Sequence, residues 1–179
     1  MSVDTQRSEH DGSMDKITYI TPQFAISGMP EREDLAQFAA LGFKAVISNR
    51  PDGEEPGQLS GEEERALAER AGLRFHHVPA LKHDLFTDTT IDAMVRAVAA
   101  GDGPILAHCK SGLRSAILWA AASARGDNVD CVISALERAG FELDFLRDDL
   151  QDIADRRPHP AEAPALDCAA AGELPPRVA

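Results

Sequence analysis

One stretch decides the fold of this chain of 179 residues: P-I-L-A-H-C-K-S-G-L-R-S, from Pro104 to Ser115. It opens on a short apolar run that is typical of a buried β-strand, and it leads into an apolar helix predicted to begin near Ser115. A loop that joins a strand to a helix N-terminus directs backbone N–H groups at one point, which suits an anion. Gly112 allows the backbone to turn there. The stretch therefore predicts an anion site.

The same loop carries a nucleophile and a positive charge. Cys109 lies at its start, where the helix end favours the thiolate, the nucleophilic form of Cys. Arg114 brings a planar set of donors that matches a tetrahedral oxyanion. We predict that both residues are catalytic and that substrate contacts the rest of the Cys–Arg loop and its helix start: Lys110, Ser111, Gly112, Leu113 and Ser115. Ser115 is expected to cap the helix, and its hydroxyl is also placed to donate to the Cys109 sulfur.

Outward from this stretch, short apolar strands alternate with helices. This order predicts an α/β fold of three layers, with a mostly parallel central sheet flanked by helices. Helices are expected from Glu31 to Leu41 and from Leu143 to Ile153, and Ser60 with Glu63 has the pattern of a capping box. The predicted domain spans 16–155, between a disordered N-terminal segment, 1–15, and a disordered Pro/Ala-rich tail, 156–179.

Two further loops are expected to meet the Cys–Arg loop, because ligands bind beyond the carboxyl ends of parallel strands. The loop from Leu81 to Asp88 offers a general acid, which phosphate-ester cleavage needs for the leaving oxygen. His83 lies in this loop. Asp84, in its middle, is the candidate acid. Asp88 is nearer the helix start, where a carboxylate is normally a structural partner, and the choice between the two is left open.

The loop from Asn49 to Glu55 is expected to support the site from behind. Arg50 and Asp52 lie in it, and Asp52 is a candidate to hold Arg114 in place. Alternatively, Pro51-Asp52-Gly53 only forms a turn, since Pro, Asp and Gly are the residue types that turns favour. His108, which directly precedes Cys109, is the third expected supporting residue.

Composition narrows the class of partner. The net charge of −12 argues against nucleic acid and anionic membrane surfaces. No apolar run approaches the ~20 residues of a membrane span, and the N-terminus lacks a signal segment.

Three Cys at unrelated spacings form neither a disulfide framework nor a metal set. We expect a cytoplasmic protein without metal or cofactor. The oligomeric state, and whether Cys131 lies close enough to Cys109 for a disulfide, are left open.

With these residues, the chain resembles the phosphatase-like domain family of β-lactamase-hydrolase hybrid proteins, a bacterial family. The resemblance covers about Ile17 to Leu150. It rests on I-S-G-M-P from Ile26, G-F-K-A-V-I-S-N-R-P-D-G-E from Gly42, V-P-A from Val78 and H-C-K-S-G-L-R-S from His108. It implies a fold similar to that of dual-specificity tyrosine phosphatases, with Cys109 as nucleophile, Arg114 as phosphate-binding residue and Asp84 as general acid.

The Cys–Arg loop departs from that family pattern in length. Tyrosine phosphatases have one residue more between Cys and Arg than the four found here, Lys110 to Leu113. Rhodanese-type sulfurtransferases use a loop similar to this one, C-x-x-G-x-R, to hold a persulfide sulfur on Cys. The rest of the chain lacks the other rhodanese segments, an Asp-Val-Arg after a strand and a later Gly-His-Ile-Pro. The scaffold thus favours a phosphatase, and the loop length favours sulfur transfer.

Three hypotheses follow. The leading one is a cysteine-dependent phosphatase-like hydrolase that cleaves a phosphate ester, on a phosphorylated protein or a small phosphate, through a phosphocysteine intermediate. The alternative is a rhodanese-like sulfurtransferase that takes sulfur from a sulfane-sulfur donor and carries it as a persulfide on Cys109. The third is a catalytically silent anion-binding module. Only the first needs a general acid, so Asp84→Asn separates it from the second.

Overall fold

The computed structural model describes residues 17–156, which contain a five-stranded sheet. Its strands are β1 Thr18–Thr21, β2 Phe24–Ser27, β3 Ala45–Ser48, β4 Arg74–His77 and β5 Ile105–His108. They lie in the order β1-β2-β5-β3-β4, and every pairing except that of β1 with β2 is parallel. The predicted mostly parallel α/β fold is therefore confirmed. The predicted disordered segments lie outside the described residues, apart from Arg156, which follows the last helix.

Six α-helices lie among residues 17–156: α1 Asp34–Ala40, α2 Gly61–Arg70, α3 Asp88–Ala99, α4 Leu113–Ser123, α5 Val129–Arg138 and α6 Arg147–Asp155. The predicted capping box is present, since the Ser60 and Glu63 side chains each accept from the other's backbone N–H. The prediction of a helix from Glu31 was wrong by one turn, because the Asp34 carboxylate accepts from the Glu31 N–H at 2.7 Å and holds a turn there. No helix in this part of the chain is long and apolar enough to cross a membrane.

The last helix also differs from the prediction, which ran from Leu143 to Ile153. A short 3-10 turn, Asp144–Leu146, comes first, and α6 then continues to Asp155. The turn is followed by an ion pair at 3.0 Å between the Asp144 carboxylate and the Arg147 guanidinium. The apolar spacing alone did not separate these two pieces, because Leu143, Leu146 and Leu150 are all buried on the same side.

Helices cover both faces of the sheet. Side chains of a strand alternate between faces, so neighbours in β3 enter different cores. Val46 packs with buried residues of α1 and α2, whereas Ile47 packs with α3, α4, α5 and α6. Trp119 of α4 is completely buried, with its ring 6.1 Å from that of Phe24. Because helices cover both faces of the sheet, an active site has to be formed by loops at the ends of the strands. In parallel α/β sheets these are the loops at the carboxyl ends.

The carboxyl ends of the parallel strands form a single row. Ser27, His108, Ser48 and His77 are in register as the last residues of β2, β5, β3 and β4. Two hydrogen bonds tie the next residues together: Asn49 N–H donates to the His108 carbonyl at 2.9 Å, and Ala80 N–H donates to the Asn49 carbonyl at 3.3 Å. The three loops that were predicted to meet therefore leave the sheet side by side.

Candidate active site

The Cys–Arg loop turns sharply between β5 and α4. Gly112 precedes the first residue of α4 and has φ +90°, a left-handed conformation that L side chains rarely adopt. A Cβ at this position would also lie 3.2 Å from the Ser27 carbonyl oxygen. Helix α4 thus begins at Leu113 rather than at Ser115, and the prediction that Ser115 caps it was wrong. The sharp turn directs the Gly112 N–H, just before the helix, toward the preceding Cys.

Cys109 lies at the bottom of this turn. Its side chain is 1% exposed, and the Gly112 N–H donates to its Sγ at 3.1 Å. The thiol is free, so Cys109 forms no disulfide with Cys131. A helix N-terminus carries a partial positive charge, which suits a negatively charged group beside it. The structure thus places Cys109 at the helix start, where the sequence located it, and its role as nucleophile stays a prediction.

Arg114 is held in place by the loop from Asn49 to Glu55. One terminal nitrogen donates to the Asn49 carbonyl at 3.2 Å, and the other donates to the Glu54 carboxylate at 2.6 Å. The side chain is 16% exposed. A guanidinium has five N–H donors, so most remain for a bound oxyanion. The contacts fix the plane of the group without using up its donors.

Asp52 does not hold Arg114, contrary to one of the alternatives above. Its carboxylate accepts from the Gly61 N–H at 2.7 Å, at the first residue of α2. A carboxylate at a helix N-terminus is stabilised by the unpaired backbone donors there. Glu54, two residues further on, takes the role that was expected of Asp52, and the sequence reasoning missed it.

The carboxylates of Glu54 and Glu55 join three cations into one network around the loop. The Arg50 side chain, only 3% exposed, donates to Glu54 at 2.8 Å and to Glu55 at 2.9 Å. Glu55 also pairs with Lys110, and Glu54 with Arg114. Within this network three cations outnumber two carboxylates, although the chain as a whole is strongly acidic.

The cations of this network lower the pKa of both carboxyl groups. Arg50, and then Arg114, hold the pKa of Glu54 below its ordinary value, against an opposing contribution from burial. Lys110, followed by Arg50, lowers the pKa of Glu55. Both groups therefore remain charged, and Arg114 stays paired, at pH values where an isolated glutamate would begin to protonate.

Stability should depend on pH through Glu54. The pKa of Glu54 is lower in the folded state than in the unfolded chain, where it is 4.5. The charged Glu54 carboxylate therefore stabilises the fold fully above pH 4.5, and this stabilisation is lost as the pH falls from 4.5 through the folded-state pKa. Glu54→Gln should therefore be less stable than the unmodified protein near neutral pH, and the difference should shrink as pH falls from about 6 to 3. Urea unfolding across this range measures it.

Glu62→Gln is the matched control, because Glu62 is exposed on α2. Its stability should stay parallel to that of the unmodified protein over the same range. A Glu54→Gln curve that also ran parallel would contradict the role given to the Glu54 charge.

Asn49 connects every loop of the site and was missed by the sequence reasoning. It is fully buried, and its Nδ2 donates to the Val78 carbonyl at 3.0 Å, which fixes the orientation of the amide. Its Oδ1 therefore accepts, and the Ser115 hydroxyl donates to it at 2.8 Å. A hydroxyl has one proton, so Ser115 does not also donate to the Cys109 sulfur. The signal that was available was an Asn directly after a buried strand.

His108 forms a buried pair with Glu64 behind Cys109. Its Nε2 lies 3.2 Å from a Glu64 carboxylate oxygen, and the two side chains are 0% and 5% exposed. Within the described residues, Nδ1 of His108 is buried without a hydrogen-bond partner. The pair lies directly behind the Cys–Arg loop, and the supporting role of His108 stays a prediction. The role of Glu64, on α2, could not be read from the sequence.

The two candidate acids have different environments. Asp88 begins α3 and pairs with Arg125, whose side chain is 4% exposed, so it has the structural role that a helix start favours. Asp84 is half-buried, and one of its oxygens accepts from the Leu81 N–H at 2.6 Å. The loop that carries it begins at Val78 and Ala80, which both bond to Asn49. Asp84 therefore remains the candidate, and His83 is exposed.

The other loop residues lie at the mouth. The Lys110 carbonyl accepts from the Met29 N–H at 3.2 Å, which joins the Cys–Arg loop to the segment after β2. Ser111 is exposed, and Leu113 is an exposed large apolar side chain at 45%. Among residues 17–156, no group of three or more His, Cys, Asp or Glu side chains is arranged to hold a metal ion.

Together, the fold and this loop define a class of protein. The α/β sheet, with a buried thiol at a helix N-terminus on its carboxyl edge, is similar in fold to tyrosine phosphatase-like structures, and the family match places the chain among phosphatase-like domains. The chain belongs to the family described as "Beta-lactamase hydrolase-like protein, phosphatase-like domain", whose model matches residues 16–126. The resemblance stated from the sequence is confirmed.

Known proteins agree with this assignment. A Beta-lactamase hydrolase-like protein of Xylella fastidiosa is 43% identical over 105 residues, which are 59% of this chain and 24% of that protein. The chain thus spans about a quarter of the length of its curated relatives. A crystal structure of a candidate phosphatase from Neisseria meningitidis is 31% identical, with a TM-score of 0.65 over 76% of this chain and 97% of that one.

A more distant structure shares the fold alone. Tk-PTP in its active form is 22% identical, with a TM-score of 0.56, and the match covers 79% of this chain and 97% of that one.

Proposed function

We propose that this chain is a cysteine-dependent phosphatase that cleaves a phosphate ester through a phosphocysteine intermediate. The observation that carries the proposal is the hydrogen bond from the Gly112 N–H to the Cys109 Sγ at 3.1 Å, beside an Arg114 fixed by Asn49 and Glu54. A phosphoryl group that approaches the sulfur meets the helix N-terminus and the free guanidinium donors, which stabilise its oxygens as charge develops. The substrate is a phosphorylated protein or a small phosphate.

The reaction has two steps. The Cys109 thiolate attacks phosphorus, an S–P bond forms, and the bond to the leaving oxygen breaks as Asp84 gives that oxygen its proton. Asp84, now a carboxylate, then takes a proton from water, and the water oxygen attacks phosphorus. The S–P bond breaks, which releases inorganic phosphate and restores the thiolate. A cytoplasmic location belongs to the same proposal and rests on the Cys109 thiol, which is free and must stay reduced, whereas Cys131 is disulfide-bonded.

Sulfur transfer is the second candidate, and the short loop is the observation that favours it. Four residues separate Cys109 from Arg114, and the loop has the C-x-x-G-x-R pattern of the sulfurtransferases. In this reaction the thiolate takes one sulfane sulfur from thiosulfate, sulfite leaves, and a thiophile such as cyanide removes the sulfur from the persulfide. No proton has to be supplied to a leaving alkoxide, so Asp84 has no part in it.

One experiment separates the two reactions. Hydrolysis of an aryl phosphate with a poorly acidic leaving group should be undetectable in Cys109→Ser and about 10²-fold slower in Asp84→Asn. Intact mass after exposure to thiosulfate is measured beside it. A stable gain of one sulfur that is absent in Cys109→Ser, discharged by cyanide and unaffected by Asp84→Asn, without phosphate release, would replace the phosphatase proposal by sulfur transfer.

Asp88→Asn is the matched control for the general acid. Asp88 lies in the same loop region but is paired with Arg125, so this variant should keep its rate of aryl phosphate hydrolysis within about threefold while losing some stability. A large loss of rate in Asp88→Asn together with a normal rate in Asp84→Asn would exchange the two roles. A third outcome is that the unmodified protein catalyses neither reaction and that Cys109→Ser still binds anions. This outcome would identify the chain as a catalytically silent anion-binding module.

A further inference from the structure

The sheet has an open edge at β4, which β3 separates from β5 and the Cys–Arg loop. Within the described residues β4 pairs with β3 alone and is the last strand of the sheet. The N–H groups of Arg74 and Val78 donate to β3 carbonyls or their neighbours, at 3.0 and 2.9 Å. Because residues of a parallel strand bond alternately to one side and the other, the backbone groups of Phe75 and His77 face outward. The Phe75 and His77 N–H groups are positioned to bond to an added strand, whereas the Phe75 carbonyl already accepts from the Arg65 guanidinium.

A groove of about 520 Å³ runs along this edge. Its floor is β4, and its walls come from helices on opposite faces of the sheet. Arg65 of α2 lies on one side, and Arg96 of α3, with Ala93, lies on the other. A sheet edge between two helix walls fits an extended peptide segment rather than a compact ligand.

The groove is cationic in an acidic protein. The Arg65 guanidinium lies 5.3 Å from the centre of the Phe75 ring and donates to the Phe75 carbonyl at 3.4 Å, so it is held at the edge. The nearest carboxylate to it, that of Glu69, is 4.0 Å away and exposed. Arg96 is exposed on the other wall, and among the residues that the structure describes the buried Nε2 of His76 has no hydrogen-bond partner. Burial and the positive charges of Arg65 and Arg74 lower the pKa of His76.

We propose that this edge binds an extended acidic peptide segment, which adds as a strand beside β4 and places two consecutive carboxylates on Arg65 and Arg96. Successive side chains of a strand point to opposite faces, so neighbouring acidic residues reach one arginine each. A second copy of this edge would bring its own Arg65 and Arg96 to a groove that is already cationic, and like charges held close together are destabilising. Charge complementarity therefore selects an acidic partner over self-association.

The test uses the full chain labelled with ¹⁵N and two synthetic peptides, Thr-Val-Glu-Glu-Val-Thr and the same peptide with Gln-Gln at its centre. Addition of the first should shift the amide signals of Phe75 and His77 and protect them from hydrogen exchange. The Gln-Gln peptide should bind about tenfold more weakly, because it loses two charge pairs. Binding should also weaken as salt is raised.

Variants locate the two contacts. Arg65→Gln and Arg96→Gln should each weaken binding of the Glu-Glu peptide by about threefold to fivefold, whereas Arg70→Gln, at an exposed arginine of α2 outside the groove, should not. Thermal unfolding confirms that each variant is folded. Cys109→Ser should bind the peptide normally, so this result does not depend on the proposed phosphatase activity.

Three outcomes would overturn the proposal. One is equal affinity for the two peptides. Another is the absence of shifts at Phe75 and His77 with millimolar peptide. The third is a set of β4 shifts that follow protein concentration without peptide, which would assign the edge to a second copy of the chain.

Discussion

Arg114→Lys is expected to lower kcat for aryl phosphate hydrolysis by about 10²–10³-fold, the cost of removing a group that stabilises the transition-state charge. Lysine keeps the positive charge, but its single ammonium nitrogen replaces a planar guanidinium that can donate two parallel hydrogen bonds. It also lacks the two terminal nitrogens that bond to Asn49 and Glu54, so its ammonium is not fixed beside Cys109. Steady-state kinetics with a simple aryl phosphate give kcat and KM separately.

The loss in Arg114→Lys has a second source. Glu54 keeps its bond to Arg50 at 2.8 Å but loses the guanidinium that lies between it and an incoming phosphate. Its carboxylate then repels the substrate, so KM should rise as kcat falls. Glu54→Gln combined with Arg114→Lys should recover part of the rise in KM and little of kcat.

Arg32→Lys is the control for this prediction. Arg32 is exposed and pairs with Glu63, away from the Cys–Arg loop, so the variant should be indistinguishable from the unmodified protein in kcat and KM. A fall in kcat of less than about fivefold in Arg114→Lys would contradict the role given to the planar guanidinium.

The parts of the fold that were predictable depend on local rules. Alternation and apolar runs located the strands, and Ser60 with Glu63, three residues apart, located the start of α2. The position of the Cys–Arg loop was predictable for the same reason, since its cysteine, glycine and arginine all lie within six residues, Cys109 to Arg114. In such a short segment, the residue types and their spacing largely determine the backbone conformation.

The parts that were missed depend on contacts between distant segments. Arg114 and Glu54 are 60 positions apart, and Ser115 and Asn49 are 66 apart. Which carboxylate of D-G-E-E reaches Arg114 is decided by the shape of the loop, where Asp52 is taken by the start of α2. The helix start was missed for a related reason: Ser115 has the right chemistry for a cap, but Gly112 has the conformation that the turn over Cys109 requires.

A buried pair behind the loop gives the second large effect, this time on stability. Glu64→Leu is expected to lower the free energy of unfolding by about 3 kcal/mol, because it leaves the ring of His108 buried with neither nitrogen bonded. Glu62→Leu, at an exposed position of the same helix, should change stability by less than about 0.5 kcal/mol. Urea unfolding of the two variants at one pH measures the difference.

The double variant Glu64→Leu with His108→Leu tests the cause. If the penalty comes from an unsatisfied polar ring, removing the ring as well should restore at least half of the lost stability, since two apolar groups need no partner. Equal stability of the single and double variants, or a loss below about 1 kcal/mol in Glu64→Leu, would contradict this account.

The position of the pair gives it more than a packing role. His108 is the last residue of β5, and its carbonyl accepts the Asn49 N–H at 2.9 Å, so the pair with Glu64 fixes the strand end from which the Cys–Arg loop departs.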